Sequence, residues 1–226
     1  MTLNINRLFP RNWYAVSYSK DIKKIPVKKR VAGKDFVLYR DEKGEVQALS
    51  PYCPYRGADL SLGQVVNGKL VCPYHGWAFD SCGTCARIPS QPNKPIPKFA
   101  HTFSSPVKEK IGLIWIYPDS EEAPPEWKTF HVMENTPFKL SSFHATWNAH
   151  LTRSIESVLD IAHLAYVHKK TIGRKTKAES TNYKLEGTLD QFIFSNGDAY
   201  LLQIFHFYTC YIHMYISQNK LHLYYL

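Results

Sequence analysis

Alternating apolar and polar positions dominate the first half of the chain. Between residues 13 and 50 the alternation has the period of strands, with an Asp-Glu-Lys-Gly turn at 41–44. Further strands are predicted at 69–72 and 111–117. Several glycines punctuate this region and mark turns between the predicted strands. This half of the chain is therefore predicted to be mostly β.

The pattern changes after this region. Residues 118–128 are rich in proline and acidic side chains, which is typical of a linker. Helical periodicity follows around 150–168. Residues 183–205 then favour a β-hairpin with Asn196-Gly197-Asp198 at its turn. No internal repeat is visible, and the 226 residues are enough for one to two domains.

Two short cysteine clusters carry the candidate chemistry. The first begins at Cys53 and reads CPYRG; the second begins at Cys72 and reads CPYHGW. Sixteen residues separate Tyr55 from Cys72. This is the spacing C-x-H-x16-C-x2-H of a Rieske [2Fe–2S] site, in which two thiolates bind one iron and two imidazoles bind the other. A chance arrangement or a zinc site is the alternative interpretation.

Tyr55 is the exception, because it occupies the position of the first ligand histidine. One possibility is that it leaves that iron one ligand short. The other is that it binds as a phenolate, which carries negative charge and should lower the reduction potential. Either way we expect an altered cluster.

The flanking sequence extends the pattern into a family resemblance. Residues 51–80, with 12–22 and 31–50 before them and 82–92 after them, resemble the Rieske domain of Rieske non-haem iron oxygenases. The resemblance covers about residues 5–170. It implies a [2Fe–2S] cluster held by Cys53, Cys72 and His75, with Tyr55 at the fourth ligand position.

The same resemblance implies the domain plan. A mostly β Rieske domain, an antiparallel β-sandwich with cluster-binding loops, is expected at 1–118. A linker follows at 119–140. Residues 141–226 are then the start of an α+β catalytic domain, and we expect a shortened chain because family members are far longer.

A second motif lies in the helical stretch. Glu156, Asp160, His163 and His168 match the family pattern E-x3-D-x2-H-x4-H. The first three share one helix face, whereas His168 lies about 140° round the helix from His163, so the helix must end or distort between them. An amphipathic helix with two satisfied histidines is the alternative.

The roles of these residues come from the resemblance. His163 and His168 are expected to bind a mononuclear Fe(II), an iron that takes two histidines and one carboxylate. Asp160 is expected to carry electrons to that iron from His75 of a neighbouring subunit. No third iron ligand can be assigned.

The resemblance also implies the function. The expected protein is an oxygenase α-subunit that receives electrons from a ferredoxin or a flavin reductase and uses O₂ to oxidise an organic substrate, aromatic or tetrapyrrole. It is expected to form a homo-oligomer, a trimer in the family. The alternative is a Rieske-like electron-transfer module without oxygenase activity, or an inactive remnant.

Charge and hydropathy add little to this interpretation. The net charge is +9 and suits an acidic ferredoxin as partner. The basic residues are scattered and no nucleic-acid motif is present, so nucleic-acid binding is not expected. Neither an apolar leader nor a membrane span is evident, which predicts a cytoplasmic or stromal protein.

A second pair of cysteines and the composition of the last residues each have more than one explanation. Cys82 and Cys85 form a C-x-x-C, for which a structural role is expected over a redox pair or a zinc site. Residues 201–226 are dense in tyrosine, isoleucine, leucine, histidine and phenylalanine. They are either a pair of aromatic strands or an out-of-frame translation, and resequencing the gene decides between the two.

Overall fold

The computed structural model describes residues 12–118 and 123–127 in full. Beyond them it describes scattered positions between 148 and 174 and the backbone of five strands between 183 and 225. The chain divides into two compact units, residues 1–136 and 137–226. Much of the predicted linker at 119–140 lies outside the described residues.

The described residues of the first unit form three antiparallel sheets. Strands β1, β10 and β9 form one sheet, β2 to β4 form the second, and β5 to β8 form the third. Two short 3₁₀ turns, Ser19–Asp21 and Leu60–Leu62, lie between strands. The strands run Tyr14–Tyr18 (β1), Val27–Val31 (β2), Lys34–Arg40 (β3), Val46–Leu49 (β4), Gln64–Val66 (β5), Lys69–Val71 (β6), Ala78–Phe79 (β7), Cys85–Arg87 (β8), Val107–Lys110 (β9) and Leu113–Ile116 (β10).

Strand β3 lies between β2 and β4 in its sheet, and both faces of its middle are buried. Its middle reads Phe-Val-Leu-Tyr, an uninterrupted apolar run of the kind that central strands require. Phe36 and Leu38 belong to one core cluster, whereas Val37 and Tyr39 belong to the other. The alternation of side chains along the strand therefore joins two separate cores.

The first core cluster lies among the sheets of β1–β10–β9 and β2–β3–β4. It consists of Ile22, Phe36, Leu38, Val46, Ala48, Ile114 and Ile116. Each fully buried aliphatic or aromatic side chain contributes about 1.5–3 kcal/mol to the free energy of unfolding. This packing holds the two sheets together.

The second core cluster lies beneath the two cysteine loops. It contains Val37, Tyr39, Leu49, Cys53, Leu60, Leu70, Cys72, Trp77, Phe79, Cys85, Ile88 and Ala100. Both predicted cysteine ligands are thus part of a packed apolar cluster, so the cores position the candidate site directly.

In the second unit the described helical residues are 153, 156, 157 and those of the short helix α1 (Leu164–Val167), and a five-stranded antiparallel sheet follows in sequence order. The predicted hairpin is present, since two strands pair with Asn196 opposite Ala199, and its residues 197–198 lie outside the described residues. The strands are Tyr183–Gly187 (β11), Phe192–Asn196 (β12), Ala199–His206 (β13), Thr209–Ile216 (β14) and His222–Tyr225 (β15).

Strands β14 and β15 and most of β13 fall within the compositionally unusual segment 201–226. The backbone pairs there as the aromatic-strand explanation expects, while the reading frame stays a prediction. Within the described residues, no helix combines the length and apolarity that crossing a membrane needs.

Candidate metal centres

The two cysteine loops have the same backbone hydrogen bonds. In the first loop (residues 53–58) the Cys53 N–H donates to the Ala58 carbonyl at 2.9 Å, and the N–H of residue 57 donates to the Cys53 carbonyl at 2.8 Å. In the second loop (residues 72–77) the Cys72 N–H donates to the Trp77 carbonyl at 2.8 Å, and the residue 76 N–H donates to the Cys72 carbonyl at 3.1 Å. The two loops are therefore structural repeats of one turn.

A glycine closes each of these turns for a conformational reason. Gly57 has φ +67° and Gly76 has φ +71°. These values lie in the left-handed region, which side chains with a Cβ enter at a cost of about 1–2 kcal/mol. The glycine that follows each predicted ligand pair in the sequence is thus explained by the turn.

The loops bring the two thiols together. The Cys53 and Cys72 side chains are 4% and 3% exposed, and their thiols lie within hydrogen-bonding reach of each other. Burial raises the pKa of the Cys53 thiol to about 11, while the backbone N–H groups of Tyr55 and Arg56 donate to its sulfur and oppose the shift. Those two N–H groups are placed to stabilise a metal-bound thiolate.

The remaining predicted ligand positions form an aromatic group beside the thiols. The rings of Tyr55 and His75 meet edge to face, with 5.1 Å between centroids. Tyr55 also stacks on Trp77 at 4.9 Å and 11°, and the Arg56 guanidinium lies 5.2 Å from its ring centroid. Trp77 is a residue whose contact with the site the sequence pattern did not indicate, although it directly follows the His-Gly of the second loop.

A polar network on strand β2 braces the first loop. The Lys28 ammonium donates to the Asp59 carboxylate at 2.9 Å and to the Tyr52 hydroxyl at 3.3 Å. The Tyr52 hydroxyl donates to Asp35 at 2.9 Å. Tyr52 and Asp59 also pair as an isolated β-bridge across the loop. Sequence reasoning missed this network because its members lie far apart in the chain.

The two cysteines of the C-x-x-C differ in exposure. Cys82 is exposed and Cys85 is buried, and both are free thiols. The Cys85 thiol donates to the Arg87 carbonyl at 3.4 Å, and burial raises its pKa. Cys82 lies in a turn in which the Asp80 carboxylate accepts its backbone N–H at 3.0 Å. These positions agree with the structural role expected for Cys85.

In the second unit the two predicted iron-binding histidines lie side by side. The His163 and His168 rings are 5.2 Å apart between centroids. Asp160 Oδ2 lies 3.7 Å from His163 Nδ1, and Asp160 Oδ1 accepts the His163 backbone N–H at 3.3 Å. Glu156 forms an ion pair with Arg153 at 2.7 Å instead of joining this group.

The described residues of the predicted helical stretch are helical at 153, 156 and 157 and again in α1 (Leu164–Val167). Asp160, between them, is not helical, although its N–H donates to the Glu156 carbonyl at 3.0 Å. The end of α1 before His168, which has φ −104° and ψ 20°, agrees with the expectation that the helix stops between the two histidines. The Asp160 carboxylate lies against the first histidine of the pair.

Within the part of the chain that the structure describes, no three His, Cys, Asp or Glu side chains are gathered closely enough to hold a metal ion. The pairs do meet: Cys53 with Cys72, and His163 with His168. Two adjacent buried thiols fit the sulfur-ligated iron of a [2Fe–2S] cluster, and His75 supplies one donor for the other iron. Position 55 supplies a phenol in place of the second imidazole.

Comparison with known proteins decides the family. Residues 12–104 match the Rieske [2Fe-2S] domain, and residues 147–189 match the vanillate O-demethylase oxygenase C-terminal domain. The chain belongs to the Rieske oxygenase family. The mostly β fold predicted for its first part is confirmed, and the cofactors of this family are the predicted [2Fe–2S] cluster and a mononuclear iron.

Individual relatives agree with this assignment. Cholesterol 7-desaturase nvd 1 of Ciona intestinalis is 35% identical over 71% of this chain and 35% of its own length. The vanillate O-demethylase oxygenase subunit of a Pseudomonas species is 31% identical over 80% of this chain and 51% of its own. The chain thus spans between about a third and a half of these curated relatives.

Solved structures give the same result. The NdmA QL mutant of Pseudomonas putida CBB5 with theobromine superimposes with a TM-score of 0.80 at 25% identity, covering 96% of this chain and 68% of that one. Dicamba monooxygenase with non-heme iron and dicamba gives a TM-score of 0.65 at 26% identity, covering 87% and 54%.

Proposed function

We propose that this Rieske family chain is the oxygenase component of an electron-transfer system that oxidises an organic substrate with O₂. The observation that carries the proposal is the meeting of two buried thiols, Cys53 and Cys72, from loops with identical hydrogen bonding. The relatives act on sterol, vanillate and chlorophyllide by their names, which supports an aromatic or polycyclic substrate.

In this proposal the first unit accepts electrons. Cys53, Cys72 and His75 hold the [2Fe–2S] cluster, whose chemistry is one-electron transfer. The N–H groups of Tyr55 and Arg56 stabilise the Cys53 thiolate, and the apolar cluster beneath the loops keeps water from both sulfurs. The Lys28–Asp59 ion pair holds the first loop in position.

The second unit binds the mononuclear iron. His163 and His168 are its proposed ligands, supported by their adjacent rings. Asp160 orients His163 through its carboxylate and is the proposed electron bridge from His75 of a neighbouring subunit. The family match over residues 147–189 covers all three residues.

The domain plan belongs to the same proposal: a Rieske domain at 1–118, a linker at 119–140 and part of a catalytic domain at 141–226. The division of the chain into two units at residue 136 supports it. A ferredoxin or flavin reductase as electron donor, a homo-oligomer and a cytoplasmic location complete the proposal.

Iron and sulfide analysis tests the first site. Anaerobically purified chain, reduced with dithionite, should contain acid-labile sulfide and give a [2Fe–2S] EPR signal at low temperature. Cys72→Ser should lose iron and sulfide together, because a hydroxyl replaces an essential thiolate. Cys82→Ser is the matched control, since Cys82 is exposed and outside the loops. Equal iron and sulfide in both variants would contradict the assignment.

The second site has its own test. The parent chain should bind ferrous iron beyond the amount accounted for by sulfide, and His163→Ala should remove that excess. His101→Ala is the control, because His101 is an exposed histidine of the first unit. If the excess iron survives His163→Ala, the histidine pair is not an iron site.

A further inference from the structure

Tyr55 is the one departure from the ligand pattern, and its side chain is held by three contacts. The ring stacks on Trp77 with 4.9 Å between centroids and only 11° between planes. It meets His75 edge to face at 5.1 Å. The Arg56 guanidinium lies 5.2 Å from the same ring. Tyr55 therefore has a defined packing role at the tip of the first loop.

The stack fixes the direction of the ring. Trp77 is almost fully buried in the core cluster that contains both ligand cysteines, so it is a rigid platform. An aromatic pair of this kind contributes about 0.5–1.5 kcal/mol beyond the area it buries. Any reorientation of the Tyr55 ring would therefore cost its stack on Trp77 and its contact with His75.

Covalent structure points the same way. In histidine a donor nitrogen is bonded directly to the ring carbon that carries Cβ, so the donor lies close to the backbone. In tyrosine the oxygen is at the opposite end of the ring. A tyrosine on a loop built for histidine therefore carries its donor past the place where an imidazole nitrogen would lie.

We propose that Tyr55 packs beside the cluster ligands without donating to iron, and that the position it leaves open takes a small neutral nitrogen donor of the imidazole class. This inference rests on the cluster assignment proposed above. The open position faces solvent, because Tyr55 is 41% exposed and His75 is also exposed. The step is a ligand exchange in which an imidazole displaces water, with no change in oxidation state.

Imidazole is the expected donor class because the outer iron of a Rieske cluster is bound by two neutral imidazoles. An external imidazole restores the missing nitrogen without adding charge. A phenolate from Tyr55 would instead add one negative charge to the same iron. The two arrangements therefore differ in their spectra and in their response to added imidazole.

The experiment is cluster reconstitution of the full chain with iron and sulfide, with and without free imidazole, read by bound iron and sulfide, visible absorption and EPR. For the parent chain we expect imidazole to raise cluster occupancy severalfold or to shift the EPR g values. Tyr55→Phe should keep the imidazole response. Tyr55→His should fill the cluster without imidazole and not respond to it. Tyr74→Phe changes the matching position of the second loop and is the control, which should respond to imidazole as the parent chain does.

Three outcomes would overturn the inference. A parent spectrum insensitive to imidazole, with a phenolate-to-iron band that Tyr55→Phe removes, would make Tyr55 a ligand. A cluster that forms in Tyr55→His but never in the parent, even with imidazole, would mean that no external donor occupies the position, while the proposed function would stand. No cluster in any variant would refute the inference and the proposed function together.

Discussion

Two turns of the first unit provide a matched pair for testing how the fold depends on one glycine. Both have an aspartate followed three residues later by glycine, and in both the glycine N–H donates to the aspartate carbonyl: Gly44 to Asp41 at 3.1 Å, Gly83 to Asp80 at 3.0 Å. Their φ angles are nearly equal, +80° and +83°. The turns differ in their two middle residues and in what surrounds the glycine.

The space beside Gly44 is empty, whereas the space beside Gly83 is occupied by another segment of the chain. A Cβ on Gly44 would meet nothing within 4 Å, whereas a Cβ on Gly83 would lie 1.9 Å from the carbonyl oxygen of Thr102. The Thr102 N–H donates to the Gly83 carbonyl at 2.8 Å, so the two segments cannot separate without losing that bond. Gly83→Ala must therefore push apart the strand pairing that carries Cys85.

The expected losses follow from these distances. Gly44→Ala should lower the free energy of unfolding by about 1–2 kcal/mol, the cost of a left-handed alanine. Gly83→Ala should add the cost of overpacking, about 1–3 kcal/mol, for a total near 2–5 kcal/mol. Urea unfolding followed by tryptophan fluorescence measures both, since Trp13, Trp77 and Trp115 are buried in this unit. Equal unfolding midpoints for the two variants would refute the reasoning.

The remaining predictions concern polar networks. Arg40→Met should lower the free energy of unfolding by about 2 kcal/mol, because the guanidinium donates to both Glu109 oxygens at 2.9 Å and to three backbone carbonyls. Arg30→Met, at an exposed position, is the control and should lower it by less than about 0.5 kcal/mol. Similar losses of unfolding free energy in the two variants would contradict this prediction. The hydrogen bond from Arg40 lowers the pKa of Glu109 in the folded state. The stability that this bond contributes is therefore present above the ordinary pKa of 4.5 and is lost as the pH falls through the lowered folded value. Below pH 4.5 the unfolding midpoint of Arg40→Met should depend less on pH than that of the parent chain, and an equal pH dependence would count against the role of this bond. Lys28→Met removes the ion pair to Asp59 and should speed hydrogen exchange in the first loop but not the second, whereas equal effects on both loops would argue against a bracing role.

Some of this structure follows from short stretches of sequence. The turn at 41–44 and the glycines of the cysteine loops are set by residues within a few positions of each other, which is why their pattern predicts them. The spacing of Cys53 and Cys72 likewise indicates a pair of equivalent loops. The end of the helix before His168 follows from helical geometry once His163 and His168 are taken as ligands of one iron. Local propensity and side-chain period are sufficient for these features.

The sequence by itself determined the β character of the first part of the chain, the two loops and the candidate ligands on each. Only the tertiary structure decided that β3 is buried on both faces and that Tyr55 stacks on Trp77. The physical reason is separation along the chain. These contacts depend on how sheets pack and which strands pair, and nothing within a few residues of Tyr55 specifies that a tryptophan from the other loop lies beneath it.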